Sequence, residues 1–165
     1  SVIRVLTAVV SLALVATACG GSDGEPITSE ELFAPGDDAL DLTVKPPVDD
    51  KYLVAVDELI ITDLVEGEGD AAMSGSIVSM QYVGVLADGG SQFDASWDRG
   101  GDPLVFNLDI GQVIPGWDEG IQGMKVGGRR RLTIPPDMGY GQFGAGGVIG
   151  PNETLVFVVD LRSVG

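Results

Sequence analysis

The segment VIPGWDEGI at residues 113–121 decides how this chain folds, because it predicts a strand end, a sharp turn and the first turn of a short helix. Pro115 fits the first helical position, where the backbone needs no N–H donor. Asp118 and Glu119 then lie in the first turn, where the helix dipole favours negative charge. The pattern predicts a helix that begins at Pro115.

One face of this predicted helix is apolar, since Trp117, Ile121 and Met124 recur at positions i, i+4 and i+7. Gly127-Gly128 is expected to end the helix, because glycine is frequent at helix C-termini. A helix this short is not stable alone, so it has to pack against its neighbours. A tryptophan carried into the concave side of a sheet predicts an aromatic-floored pocket, which is the candidate functional site.

The neighbours of this helix all show strand patterns. The predicted strands cover residues 58–65, 75–87, 91–93, 103–109, 129–134 and 154–163. Both sides of the second strand carry apolar residues, which predicts a central position in the sheet. We therefore expect an α+β domain of about 110 residues, with an antiparallel sheet of five to six strands and one short crossover helix.

Two other segments lead to expectations. The run Arg129-Arg130-Arg131 lies on a predicted strand and is expected to form a solvated edge with its aliphatic stems packed down, not an anion site. Residues 135–151 are rich in glycine and too long for a simple connector, so this loop is expected to shape a site. Within it, residues 142–147 form either a flexible flap or a wall of the pocket.

The composition excludes several kinds of chemistry. The chain has no histidine and one cysteine, which removes histidine bases, Ser-His and Cys-His couples, and histidine or multi-cysteine metal sites. No metal and no cofactor are therefore expected. The net charge of −16 argues against nucleic acid as a partner.

The acidity is concentrated in the N-terminal half of the chain, in a stretch that runs into the start of the predicted domain. Residues 19–70 contain 15 Asp and Glu residues and only two Lys residues. Such a stretch is typical of a solvated, self-repelling tether, and the alternative is an acidic tail that binds a partner or a metal. The spacing of the carboxylates does not match a calcium loop, which favours the tether.

The N-terminus resembles a bacterial lipoprotein signal. Residues 5–18 form an apolar run of 14 residues, suited to a signal peptide and too short to span a bilayer comfortably. Small residues then precede Cys19, which in such signals is lipidated and becomes the mature N-terminus. The alternative is an ordinary secretory signal with a chance cysteine. We assign residues 1–18 to the signal peptide, 19–52 to a flexible acidic linker and 53–165 to the domain.

Motifs along the whole domain resemble the FKBP-type peptidyl-prolyl cis-trans isomerases. They are Tyr82-Val83-Gly84, Gly89-Gly90-Ser91-Gln92-Phe93-Asp94-Ala95-Ser96, Pro103-Leu104-Val105-Phe106, Val113-Ile114-Pro115-Gly116-Trp117, Met124-Lys125-Val126-Gly127, Ile134-Pro135-Pro136, Gly139-Tyr140-Gly141 and Thr154-Leu155-Val156-Phe157. The resemblance runs from about residue 58 to the C-terminus with almost no gaps.

This resemblance implies a half-barrel sheet wrapped around one short helix, with the pocket between them. It places Trp117 on the pocket floor, and it gives the Ile114 N–H, Asp94 and Tyr140 roles in catalysis. The substrate or macrolide walls are implied to be Tyr82, Phe93, Leu104, Val113, Ile149 and Phe157, with Arg99 paired to Asp94. Leu104 replaces a family phenylalanine, Ala145 replaces a frequent histidine, Gly150 replaces a common proline, and Phe143 is added.

The function that the resemblance implies is catalysis of rotation about X–Pro bonds in exported proteins. The protein is expected to act as a monomer anchored at the cell envelope. Proline-containing polypeptides would be the substrates and macrolides the ligands, with the membrane reached through Cys19. The alternatives are a non-catalytic binding module of the same fold and a purely structural envelope lipoprotein. Without the resemblance, the residues leave simpler alternatives open. Trp117 and Phe157 are then hydrophobic core residues, and Asp94 and Arg99 form a purely structural ion pair. Tyr140 is then an exposed aromatic side chain in a loop.

Overall fold

A computed structural model describes residues 41–165, which form six β-strands, one α-helix and four short 3-10 turns. The strands are β1 (Ile60–Val65), β2 (Ile77–Leu86), β3 (Gln92–Ala95), β4 (Leu104–Asn107), β5 (Arg129–Ile134) and β6 (Leu155–Val164); the helix α1 spans Pro115–Gly120; the 3-10 turns are Asp50–Tyr52, Ser96–Arg99, Pro136–Met138 and Gly141–Phe143. No helix in this range is long and apolar enough to cross a membrane.

The strands form one antiparallel sheet in the order β1-β5-β6-β2-β3, with β4 also paired to β2. The expected α+β fold is confirmed, and β2 has the predicted central position. β3 pairs with residues 83–85 of β2 and β4 with residues 77–80, so both lie along the same edge of β2. The chain between them, residues 96–103, leaves the sheet as a loop at the mouth of the concave face.

The main core lies on the concave face, between the sheet and α1. Trp117, Ile121 and Met124 are all buried, as their spacing predicts. The helix ends at Gly120, however, and not just before Gly127-Gly128. A left-handed glycine at position 123, with φ of 75°, turns the chain away earlier.

The arginine run is not a solvated edge, so this expectation is wrong. Arg129, Arg130 and Arg131 are all buried, because β5 lies inside the sheet between β1 and β6. The Arg129 Nε and Nη2 donate to the Asp160 carboxylate at 2.5 and 2.7 Å. Arg130 points to the opposite face, where it pairs with Asp63 and donates to the Gly120 carbonyl at 2.8 Å. Burial of Arg129 and Arg130 is tolerated because their guanidinium groups meet carboxylate and carbonyl oxygens. Arg131 instead meets the Tyr52 ring and the Thr62 hydroxyl, and its Nη1 has no hydrogen-bond partner among residues 41–165.

Residues 41–53, which we call the strap, lie on the convex face of the sheet, although the sequence assigned residues up to 52 to the linker. The Arg129 Nη1 and Nη2 donate to the carbonyls of Asp41 and Val44 at 3.0 and 3.2 Å. The Arg131 guanidinium carbon lies 3.5 Å from the centre of the Tyr52 ring, and Tyr52 is buried. Buried arginines therefore anchor this end of the predicted linker. The predicted signal peptide and the rest of the linker lie outside the described residues.

Replacement of Asp160 by Asn should destabilise the fold strongly. The change would remove the carboxylate charge that pairs with the fully buried Arg129, and loss of one partner of a buried pair costs about 3–5 kcal/mol of unfolding free energy. Urea unfolding measures this loss. Glu66→Gln, in the exposed pair with Lys125, is the matched control and should cost about 1 kcal/mol or less. Equal losses in the two variants would contradict the expectation.

Candidate functional site

The floor of the site is the indole ring of Trp117, which α1 carries onto the concave face. Tyr82 and Phe157 meet it nearly edge-on, with ring centroids 5.1 and 5.2 Å from the indole. Such edge-to-face pairs stabilise one another beyond the area they bury. The Trp117 Nε1–H is buried and has no hydrogen-bond acceptor among residues 41–165. The floor is therefore an aromatic surface held by its neighbouring rings, with one unpaired N–H group.

Gly84 in β2 lets two aromatic walls approach the sheet. A Cβ atom at this position would lie 2.6 Å from the Phe93 ring and 2.7 Å from the Phe157 ring, closer than atoms can pack. These two rings are 5.4 Å apart and nearly perpendicular. The glycine that the sequence places in the Tyr-Val-Gly motif is thus required by the shape of the pocket.

These walls enclose a cavity of about 280 Å³ that opens to solvent. Its lining residues are Tyr82, Phe93, Asp94, Leu104, Val113, Ile114, Trp117, Tyr140, Ala145, Gly146, Val148, Ile149 and Phe157. Every site residue named from the sequence is among them, with the exceptions of Arg99 and Cys19. Cys19 lies outside the described residues.

Arg99 reaches the site through its neighbours. Its Nη1 donates to the Asp94 carboxylate and its Nη2 donates to the Tyr82 hydroxyl at 2.7 Å. The Tyr82 hydroxyl in turn donates to Asp94 at 2.5 Å. The three side chains form a closed polar triangle at one wall. The Asp94 and Arg99 side chains are 40% and 51% exposed, so this triangle lies at the rim and is open to a ligand.

Besides the Trp117 Nε1–H, two more hydrogen-bonding groups at the pocket have no partner among the described residues. The Ile114 carbonyl accepts from the Trp117 and Asp118 N–H groups, but the Ile114 N–H itself makes no hydrogen bond. Tyr140 is 40% exposed and its hydroxyl likewise makes none. Both groups are therefore available to carbonyl oxygens of a bound chain.

The glycine-rich loop forms a wall and not an open flap. Ala145 and Ile149 exchange two backbone hydrogen bonds of 3.0 Å, and the Asn152 N–H donates to the Gly141 carbonyl at 2.8 Å. Gly144 has a φ of 62°, and a Cβ there would lie 2.1 Å from the Ile149 carbonyl oxygen. Only glycine fits this position, so the loop sequence specifies its shape.

The sequence missed two lining residues in this loop, Gly146 and Val148. Val148 is 60% exposed and directly precedes Ile149. The sequence signal that could have identified Val148 as a lining residue is this apolar pair after two glycines. Phe143, the added aromatic, is 87% exposed and does not line the cavity. Residues 41–165 contain no group of side chains that could hold a metal ion.

Comparison with known proteins gives one consistent family. The family described as FKBP-type peptidyl-prolyl cis-trans isomerase matches residues 69–162. An FK506-binding protein of Streptomyces anulatus is 54% identical over 73% of this chain and 97% of its own. An FK506-binding protein of Neisseria meningitidis serogroup B is 55% identical over 64% of this chain and 95% of its own. The crystal structure of a peptidyl-prolyl cis-trans isomerase from Pseudomonas syringae pv. tomato matches with a TM-score of 0.58 and 39% identity, covering 67% of this chain and 78% of that one.

The Tyr82 phenol should titrate above its ordinary pKa of 10.0. Burial raises this pKa most, and the hydrogen bond to Asp94 raises it further. Because the pKa is raised in the folded state, the contribution of this phenol to the free energy of unfolding is fully present below about pH 10. That contribution is lost as the pH rises through the folded-state pKa. Tyrosinate absorbance of the native protein minus that of Tyr82→Phe isolates this group among the three tyrosines. A midpoint at or below 10 would contradict the burial of this phenol beside Asp94.

Proposed function

The chain belongs to the FKBP-type peptidyl-prolyl cis-trans isomerases, and we propose that the pocket around Trp117 performs the isomerisation by non-covalent means on exported proteins. The observation that carries this proposal is the aromatic cavity itself, with its free Ile114 N–H and Tyr140 hydroxyl. The intact set of Tyr82, Asp94, Trp117 and Phe157 favours catalysis over a binding module without activity.

Rotation about an X–Pro bond breaks no covalent bond. The barrier of about 18–20 kcal/mol arises because the amide resonance is lost when the bond is twisted. Uncatalysed exchange takes on the order of 10–100 s at 25 °C. A catalyst needs to favour the twisted amide over the planar one, and it needs no nucleophile. The absence of histidine from the chain therefore does not argue against this activity.

The aromatic floor supplies this preference. A twisted amide has less charge separation than a planar amide, so an apolar environment disfavours the planar state more. Trp117 is 3% exposed and meets Tyr82 and Phe157 edge-on, which keeps water from the floor. A proline ring on the indole would place its amide in this environment. The pocket thus binds the transition state better than the ground state.

Hydrogen bonds then orient the bound chain. We assign the Ile114 N–H and the Tyr140 hydroxyl to carbonyl oxygens of the substrate, since both are free at the cavity. Asp94 contributes polarity at the pocket wall, and Arg99 keeps Asp94 and Tyr82 in place. Lowering the barrier by about 5–7 kcal/mol would accelerate exchange by roughly four to five decades.

Macrolides are proposed as ligands of the same cavity. Two relatives are named FK506-binding proteins, and the residues that line the cavity here are mainly aromatic and aliphatic. Leu104 is smaller than the family phenylalanine and widens one wall. The apolar lining also favours substrates with an apolar residue before the proline.

The export context is proposed from the sequence. The apolar run at residues 5–18 and the cysteine at position 19 support a lipid anchor at the cell membrane. The strap contributes to this proposal, because the chain that leads from Cys19 enters the described domain at Asp41, on the convex face. The pocket lies on the opposite, concave face, so the point where the linker enters does not cover it.

Replacement of Tyr140 by Phe should lower kcat/KM for a proline tetrapeptide by about two- to tenfold, the size of one hydrogen bond. The free energy of unfolding should change by about 0.5 kcal/mol or less, because the hydroxyl is exposed and makes no internal bond. Protease-coupled cis-to-trans exchange measures the rate.

Ser163→Ala is the matched control, since it also removes an exposed hydroxyl but lies at the far end of β6. It should leave kcat/KM unchanged. A macrolide that abolishes the activity of the native protein would support the Trp117 pocket. An unchanged rate in Tyr140→Phe would remove its proposed role, and macrolide binding without any acceleration of exchange would favour the binding module.

Lipidation of Cys19 predicts that the protein expressed in its bacterial host partitions with the membrane. Mass spectrometry of the N-terminal peptide should show a lipid on Cys19 and no residues before it. Cys19→Ser should move the protein to the soluble fraction, or leave it as an unprocessed precursor, with kcat/KM unchanged. A native peptide with a free thiol would exclude the lipoprotein form.

A further inference from the structure

We infer that the strap is a positioning element for the pocket: Lys45 and Asp98 fasten the turn Ser96–Arg99 from the convex face and so keep Arg99 at Asp94 and Tyr82. This inference rests on the role proposed above for the Asp94–Arg99 pair. It adds to that role a second set of residues on the opposite side of the sheet from the ligand.

The strap contacts this turn directly. The Lys45 ammonium donates to both Asp98 carboxylate oxygens, at 2.8 and 2.7 Å. The Gln92 side chain donates to the same carboxylate at 2.8 Å. Asp98 is thus bound to the strap on one side and to β3 on the other, one residue before Arg99.

The turn also packs into the apolar layer beneath the strap. Trp97 contacts the convex-face cluster of Val83, Val85, Ala95 and Val156, to which Val48 and Leu53 of the strap also belong. The Arg162 guanidinium carbon lies 5.5 Å from the centre of the Trp97 ring, and its Nη2 donates to the Leu42 carbonyl of the strap at 2.7 Å. Arg162 therefore joins Trp97 to the strap by a second route.

The neighbouring residue Arg99 crosses to the concave side. It pairs with Asp94 and the Tyr82 hydroxyl there, and its guanidinium carbon lies 5.6 Å from the Tyr82 ring centre. Consecutive residues of one short turn thus contact the strap and the pocket wall. A displacement of the Asp98 backbone is therefore transmitted to Arg99, the next residue in the turn.

Arg99 needs such support because its own surroundings do not fix it. Its side chain is 51% exposed, so burial does not hold the guanidinium at Asp94 and Tyr82. The next two residues, Gly100 and Gly101, have φ of 81° and 77°, where the chain has no side chains to pack. Ser96 is buried and accepts the Tyr82 N–H at 2.8 Å, which fixes the start of the turn. The buried Gln81 side chain donates to the Gly101 carbonyl just beyond its end, so the backbone is held on both sides while the Arg99 side chain stays exposed.

The test is a charge swap across the strap. Lys45→Asp replaces attraction to Asp98 by repulsion, and kcat/KM should fall by about two- to fivefold, the range of an exposed pair, mainly through a higher KM. The Tyr82 phenol should also titrate at a higher pH, because the Arg99 hydrogen bond lowers its pKa and would be weakened. The double variant Lys45→Asp with Asp98→Lys restores the pair and should restore both readouts.

Lys125→Asp is the matched control, because Lys125 is also an exposed lysine in an ion pair, with Glu66, and it changes the net charge equally. It should leave kcat/KM and the Tyr82 titration unchanged. The inference is overturned if Lys45→Asp has the same kcat/KM and Tyr82 titration as the native protein, or if the double variant does not restore both values. It is also overturned if kcat/KM of Lys125→Asp falls as far as that of Lys45→Asp. Arg99→Ala separates the two proposals. If Arg99→Ala lowers kcat/KM while Lys45→Asp does not, only the role of the strap is wrong. If kcat/KM of Arg99→Ala is unchanged, the role of the Asp94–Arg99 pair is wrong as well.

Discussion

The closeness of the short helix to strand β5 is the constraint on which the pocket depends. A Cβ atom on Gly116 would lie 2.5 Å from Ile134, and one on Gly120 would lie 2.7 Å from Leu132. These glycines are four residues apart, so both face the sheet and let the helix backbone approach it. The approach buries Trp117 and brings its indole against Tyr82 and Phe157. A six-residue helix has too few internal hydrogen bonds to be stable alone, so this packing both forms the helix and makes the pocket floor.

The second constraint is the division of one sheet edge between two short strands. β3 and β4 pair with successive halves of β2, and the loop between them cannot stay in the sheet. This loop carries Arg99 toward the pocket and Trp97 toward the convex face. A site at the mouth of the concave face is thereby linked to residues behind the sheet, which is why a convex-face strap can act on a concave-face pocket.

The charges of the domain follow the same division between the two faces. Arg129 and Arg131 extend to the convex face, where they meet Asp160, the strap carbonyls and the Tyr52 ring, and Arg130 extends to the concave side, where it meets Asp63. Two of these three adjacent cations are thus paired with a carboxylate, and Arg131 is stacked on the Tyr52 ring. The strap is part of this compensation, since it supplies two carbonyl oxygens to the fully buried Arg129.

Local sequence determined the elements whose signals are local. Pro115 marks the helix start, and the bounds of β5 coincide with the pattern of residues 129–134. The resemblance to a known family, carried by the motifs, named most of the pocket lining. Only the tertiary structure decided the rest, because the partners lie far apart in the chain. Arg129 and Asp160 are 31 residues apart, Arg130 and Asp63 are 67 apart, and Lys45 and Asp98 are 53 apart. Residue alternation shows that neighbouring side chains face opposite ways, but it cannot show that β5 is interior, that the strap covers one face, or that Val148 completes the wall. Those outcomes depend on which surfaces meet, and a one-dimensional pattern does not contain that information.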